Sequence, residues 1–219
     1  MKPLPRIKIC CISSVEEAQL AIAHGASALG LVSSMPSGPG VIGDALIGEI
    51  ARQVPPPIAT FLLTTLRDAD AIIAQHAVCK TNTLQLVDQV PVGELVKLRR
   101  QLPAIKLVQV IHVLDDSSIA EALAVAPYVD ALLLDSGNPT LAVKELGGTG
   151  RVHDWSISRQ IRQQVDIPVF LAGGLSEANI QEAINSVQPF GLDLCSSVRE
   201  DGKLSVERLA RFMRAVQES

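Results

Sequence analysis

IPVFLAGGLSEANIQEAINS, residues 167–186, reads as one strand, a glycine turn and one helix. Ile167 to Ala172 is a short apolar run, Gly173-Gly174 breaks it, and Ser176 opens a helix-like stretch that runs to Ser186. A strand without polar alternation is buried on both faces, as in parallel sheets covered by helices. The same unit recurs about every 27 residues along the chain.

Working outward, the apolar runs fall at 6–12, 27–32, 58–63, 83–87, 106–113, 129–135, 167–172 and 191–194. Each precedes a helix-like stretch. Ser13-Ser14 before Val15-Glu16-Glu17-Ala18 is a capped start with early acids, and Gly25 closes that helix. Further helices are expected at 44–53, 67–78 and 92–102. Asp115-Asp116-Ser117-Ser118 caps one that ends at Val125, and others lie at 156–164, 176–186 and 205–217. Eight strands alternating with eight helices predict an α/β chain folded as a single (β/α)8 TIM barrel over residues 1–219. The rival is an open doubly wound sheet, but the first strand–helix turn lacks its G-x-G-x-x-G fingerprint.

Hydrophobic residues make up 47% of the 219 and aromatics only 3%, so the core is built from Ala, Val, Ile and Leu. Net charge is -4 without a basic stripe, which argues against a nucleic-acid partner. The start, MKPLPRIKIC, is no signal peptide, and no run is long and apolar enough for a membrane. Cys10, Cys11, Cys79 and Cys195 form neither a disulfide framework nor a C-x-x-C metal site. A reducing cytoplasm, no metal, and a monomer or homodimer are the expectations. Among the histidines only His153, beside a glycine loop, is placed near a site.

Active sites of such barrels sit at the C-terminal strand ends, where Cys10 and Asp135 both arrive. Strand alternation puts Lys8 and Cys10 on the inward face and Cys11 outward, under a helix. Leu133 and Asp135 share a face by the same parity, and Asp130 belongs to the bottom rim. The bland roles are an inert small hydrophobe for Cys10 and a loop cap for Asp135. Gly147-Gly148-Thr149-Gly150, Gly173-Gly174 and Cys195-Ser196-Ser197 follow the last three strands. Small residues let backbone N–H groups approach an anion, and this rim is the usual phosphate site, so a phosphorylated small molecule is the expected ligand. The last strand neighbours the first in a closed barrel, which brings Cys195 near Cys10 or Cys11. A regulatory disulfide or metal site there is the lesser reading beside unpaired thiols, because no further His or Cys is spaced for ligation.

The ordered set Lys8-Ile9-Cys10, Leu84-Gln85-Leu86, LLLDS at 132–136, GGTG at 147–150 with Asp154-Trp155, LAGGL at 171–175, Asn179, and Asp193 before Ser196-Ser197 resembles phosphoribosylanthranilate isomerase. That family belongs to tryptophan biosynthesis, folds as a (β/α)8 barrel and needs no cofactor. It converts an aminoaldose to an aminoketose by an Amadori rearrangement. The resemblance implies Cys10 as general base and Asp135 as general acid. It implies Lys8, Gln85, Gly148, Gly150, Gly173, Gly174, Ser196 and Ser197 as substrate- and phosphate-binding residues. Lys8 is the cation expected to favour the Cys10 thiolate.

The chain departs from the family at four places. Cys11 replaces a glycine, and Gly38-Pro39-Gly40 replaces Ser-Pro-Arg, whose arginine meets the anthranilate carboxylate. Gln85-Leu86-Val87-Asp88 replaces Gln-Leu-His-Gly, and Cys195 to Arg199 replaces Ser-Ser-Gly-Val-Glu. Arg199 and Arg151 are the expected substitutes for the missing arginine. The alternatives are a paralogue acting on another phosphosugar and a non-catalytic phosphometabolite-binding barrel.

Overall fold

The computed structural model describes residues 4–146 and 150–218, so the contact expected of Gly148 lies outside the described residues. Eight parallel strands close into a barrel in sequence order: β1 (Arg6–Ile9), β2 (Ala28–Val32), β3 (Ala59–Thr64), β4 (Thr83–Leu86), β5 (Lys106–His112), β6 (Ala131–Asp135), β7 (Val169–Leu171) and β8 (Gly191–Leu194). Between and after them run α1 (Val15–Ala23), α2 (Asp44–Gln53), α3 (Ala69–Cys79), α4 (Val92–Gln101), α5 (Ser117–Val125), α6 (Trp155–Gln164), α7 (Ile180–Val187) and α8 (Val206–Gln217). The expected α/β barrel is the observed one. Among the described residues no helix is long and apolar enough to cross a membrane.

Helix starts follow the sequence signals. The side chains of Ser14, Asp68, Asp154 and Ser205 each accept a backbone N–H of the first turn of α1, α3, α6 and α8. Side-chain alternation along the strands then sorts two cores. Ile7, Ile9, Leu29, Leu31, Leu62, Leu132 and Leu134 point outward and pack with the helices. Val32, Phe61, Leu63, Val108, Val110, Leu133 and Phe170 fill the barrel. Each fully buried leucine contributes about 1.5–3 kcal/mol, so reversing a strand's parity would forfeit several such terms at once. The closing ladder pairs Lys8 with Asp193 and Ile9 with Leu194, which brings the ends of β1 and β8 together.

Two boundaries shift by three residues or more, and one hairpin is added. The first strand stops at Ile9 rather than Ile12, because Cys11 has φ +63 and leaves the extended conformation. The helix expected from Ser176 starts at Ile180. Asn179 instead ties the preceding turn, accepting from Ser176 N–H and donating to Gly174 O. Beyond β8 lies an unexpected two-stranded hairpin, β9 (Arg199–Glu200) and β10 (Lys203–Leu204).

Candidate active site

A cavity of about 700 Å³, including its open mouth, lies at the C-terminal ends of the strands. Cys10, Gln85 and Asp135 reach it from β1, β4 and β6; Gly150, Gly173, Gly174, Ser196 and Ser197 line it from the loops. Parity marks Cys10 and Asp135, the loop readings mark Gly150, Gly173, Gly174, Ser196 and Ser197, and Gln85 comes from the resemblance alone. Met35, Ser37, Gly38 and Pro39 form the wall after β2, and Leu146 adds to it from the loop after β6. The Ser37 hydroxyl donates to Lys144 O at 2.7 Å and ties these two loops together.

Asp135 is the last residue of β6 and is 7% exposed. Its Oδ1 accepts the Ser136 N–H at 2.7 Å, which orients the carboxyl group. Gly173, at φ +80, lets the next loop pass close beside it: a Cβ there would fall 2.8 Å from Ser136 Oγ and 3.1 Å from Asp135 Oδ1. Only glycine meets both the torsion and the clearance.

Lys8 corrects the expectation of a ligand-contacting cation. It is fully enclosed, and its Nζ donates to Asp193 Oδ2 at 2.7 Å beneath the cavity floor. The ammonium also lies 5.3 Å from the centre of the Phe61 ring. Burial works against both charges and pushes the Asp193 carboxyl up. For Lys8 burial is outweighed by Asp193, and the ammonium is held above its ordinary value. We read the pair as ionised, because at this separation each charge replaces the other's solvent. The thiol of Cys10 is close by, since both Lys8 Nζ and Cys10 Sγ lie within 3.0 Å of where a Gly30 Cβ would stand.

Cys11 overturns the parity argument. Its positive φ turns the side chain off the strand pattern and into the cavity wall rather than under a helix. The sulfur stands 2.8 Å from Cys195 Sγ and 3.5 Å from Pro39 O. Hydrogen bonding to Cys10 and then Cys195, with burial, pushes the Cys11 thiol far up. The hydrogen bond from Cys11 holds Cys195 down despite burial, with Arg199 assisting.

Arg199 does not fill the place of the missing arginine. It is buried, donating to Cys10 O, Cys11 O and Gly202 O and pairing with Glu17. It clamps the end of β1 to the hairpin after β8. Arg151 pairs with Glu145 on the rim. No lysine or arginine lines the cavity among the described residues. His153 lies outside this cavity, bonded to Ser158 Oγ; burial lowers it, against attraction to Asp135.

Three buried polar atoms that border the cavity have no partner among the described residues: Gln85 Oε1, Asp193 Oδ1 and Ser197 Oγ. Asp193 was not expected as a lining residue, although its register opposite Lys8 follows from the same inward parity. An oriented carboxyl, a thiol above a buried cation, and a loop cradle with an unused hydroxyl suit proton transfer on an anionic sugar.

Residues 7–215 match the family described as N-(5'phosphoribosyl)anthranilate (PRA) isomerase. The chain belongs to that family. It is 38% identical over 196 residues to N-(5'-phosphoribosyl)anthranilate isomerase 2 of Methanosarcina mazei, covering 89% of this chain and 86% of that one. Phosphoribosyl anthranilate isomerase of Thermotoga maritima superposes with a TM-score of 0.84 at 25% identity, covering 99% of this chain and all of that one. A second isomerase structure, at TM-score 0.81 and 23% identity with 99% and 100% covered, holds reduced 1-(o-carboxyphenylamino)-1-deoxyribulose 5-phosphate. At that identity the likeness bears on fold.

Proposed function

We infer that the protein isomerises N-(5-phosphoribosyl)anthranilate to the corresponding aminoketose by general acid–base catalysis. Asp135, protonated, donates to the furanose ring oxygen and opens the ring to a Schiff base. Cys10, as thiolate, removes the proton from the adjacent sugar carbon, and the enolamine tautomerises to the ketone. The loops at Gly173-Gly174 and Ser196-Ser197 hold the phosphate through backbone N–H groups and the Ser197 hydroxyl, with Gly150 on the same cavity wall. Lys8 acts beneath the floor as a positioning cation for Cys10.

The observation that carries this reading is the convergence of Cys10 and Asp135 on one cavity beside the unpartnered Ser197 Oγ. Purified protein is expected to turn over phosphoribosylanthranilate. Cys10→Ser and Asp135→Asn should each lower kcat by about 10²–10⁴ while folding normally. Absence of turnover by folded wild type at high substrate concentration would refute the inference.

A second reading is favoured by one specific feature, the cavity wall without a cation at Gly38-Pro39. A ligand lacking the aromatic carboxylate would not miss it. Thermal-shift measurements across phosphorylated sugars distinguish the two readings. Greatest stabilisation by phosphoribosylanthranilate favours the first, and by a simpler phosphosugar the second.

A further inference from the structure

We propose that Cys11 and Cys195 form a redox-modifiable dithiol whose disulfide closes the loop cradle beside Cys10. Their sulfurs stand 2.8 Å apart, closer than unbonded sulfurs normally pack and ~0.8 Å from a disulfide length of ~2.0 Å. The approach is built into the backbone. The β1–β8 ladder ends with Ile9 opposite Leu194, and Cys10 N–H donates to Leu194 O at 2.7 Å. Cys11 then turns at φ +63, which aims its side chain across the ladder at Cys195 rather than along it.

Other pairings and a metal site fit less well. A bond between Cys10 and Cys11 would join residues whose Cα atoms are ~3.8 Å apart, below the ~4.4–6.8 Å that disulfides span. Among the described residues no group of His, Cys, Asp or Glu is placed to hold a metal ion. Cys79 is buried, with its thiol 3.7 Å from Asp44 O at the start of α2, and it does not line this cavity.

The chemistry needs an oxidant, and a hydroperoxide is the class that fits a small open cavity. Cys195 is half-buried, lines that cavity and has Arg199 nearby, the setting of a reactive thiol. Its thiolate attacks one peroxide oxygen, breaks the O–O bond and becomes a sulfenic acid as water (or an alcohol) leaves. The Cys11 sulfur then attacks the sulfenyl sulfur, forms the S–S bond and releases water. Both thiols are oxidised and the peroxide is reduced by two electrons. A dithiol reductant reverses the step.

The bond would pin the residue that follows the proposed base to the residue that precedes Ser196-Ser197. That couples the proton-transfer and anion-binding ends of the cavity. The existence of the bond is independent of the isomerase reading; its effect on turnover rests on that reading.

The test treats the reductant-free full-length protein with equimolar hydrogen peroxide and measures intact mass, a non-reduced tryptic map and turnover of phosphoribosylanthranilate. The expected result is a loss of about 2 Da, a link between the peptides bearing Cys11 and Cys195, and at least a tenfold fall in kcat/KM restored by dithiothreitol. Cys10→Ser should keep the link, and Cys11→Gly, which suits the positive φ and so retains the fold, should lose it. Oxygen addition without a link, a link that survives Cys11→Gly, or linked protein as active as reduced protein would overturn the proposal. If reduced protein shows no turnover, the isomerase reading fails while the mass and map still judge the bond.

Discussion

Replacing Lys8 by methionine tests whether the barrel floor is an ion pair that cannot be halved. The two charges are 2.7 Å apart, with side chains 0% and 8% exposed. At an effective dielectric of ~20 their attraction is about 6 kcal/mol, offset by several kcal/mol of desolvation for each ion. The intact pair is therefore near break-even, but a stranded partner costs about 3–5 kcal/mol. At ~2–4 °C per kcal/mol for a domain of this size, Lys8→Met should melt roughly 6–20 °C below wild type near pH 8. The deficit should depend on pH. The unpaired Asp193 carboxyl, raised by burial, then keeps its proton in the folded state at a pH where the unfolded chain, near ~3.9, has lost it. The folded state binds more protons, so its stability falls as pH rises, and the gap to wild type narrows toward pH 5. Adding Asp193→Leu removes the stranded charge and should recover much of the loss. Thermal melts followed by circular dichroism at pH 5 and pH 8 decide the matter. A Lys8→Met protein melting within ~2 °C of wild type at pH 8, or an equal gap at both pH values, would refute the reasoning.

Ser197→Ala should raise KM for a phosphorylated substrate about ten- to hundredfold, the worth of one hydrogen bond to a charged group, with kcat and melting temperature unchanged. Steady-state kinetics and a thermal melt check both, since Ser197 Oγ bonds nothing within the described protein. Gly173→Ala should cost about 1–2 kcal/mol in denaturant unfolding from its positive φ alone. It should also lower kcat, because the new Cβ meets Ser136 and Asp135. Arg199→Met should strand Glu17. Burial raises that carboxyl, but hydrogen bonds from Arg199 and from the Leu204 and Ser13 amides hold it below its usual value. The stabilisation this gives wild type is full above the unfolded value of ~4.3 and disappears as pH falls through the folded one. The difference between wild type and Arg199→Met in denaturant unfolding should therefore be larger at pH 7 than at pH 4.

The barrel was legible because its strands are buried on both faces and written as short apolar runs between capped helices. Their inward positions also carry most of the cavity, so period-two alternation places Cys10 and Asp135, while Gln85 is reached only through the family resemblance. What failed to read was backbone conformation. Nothing in Lys8-Ile9-Cys10-Cys11-Ile12 signals that Cys11 adopts φ +63, a torsion costing about 1–2 kcal/mol for a residue with a side chain. The parity rule therefore sent it under a helix. The hairpin of β9 and β10 does carry a local signal: Asp201-Gly202, at φ +48 and +77, is a two-residue turn of the kind Asp-Gly pairs favour. Lys8 was placed on the inward face, but its depth depends on Asp193 in the opposite register, a long-range pairing that no local pattern records.

The departures at Cys11 and at Gly38-Pro39-Gly40 read in the sequence as two independent losses. In space they are one. Gly40, at φ +79, passes so close to Cys11 that a Cβ there would lie 2.5 Å from Cys11 Cβ and 3.0 Å from its sulfur. Cys11 Sγ in turn reaches Pro39 O at 3.5 Å. A side chain at position 11, where the family has glycine, takes up the space that a side chain at position 40 would need. The loop after β2 then accommodates the thiol only by being glycine at the point of contact. Restoring an arginine to this loop alone should therefore disturb it, whereas restoring it together with Cys11→Gly should disturb it less, leaving the strain of a side chain at φ +79 and the 2.9 Å approach to the Cα of residue 11. The two positions are coupled by contact, so the double variant should be less destabilised than the sum of the single ones. A double-mutant cycle of Gly40→Arg and Cys11→Gly, read by denaturant unfolding, measures that coupling. Strict additivity would refute the coupling.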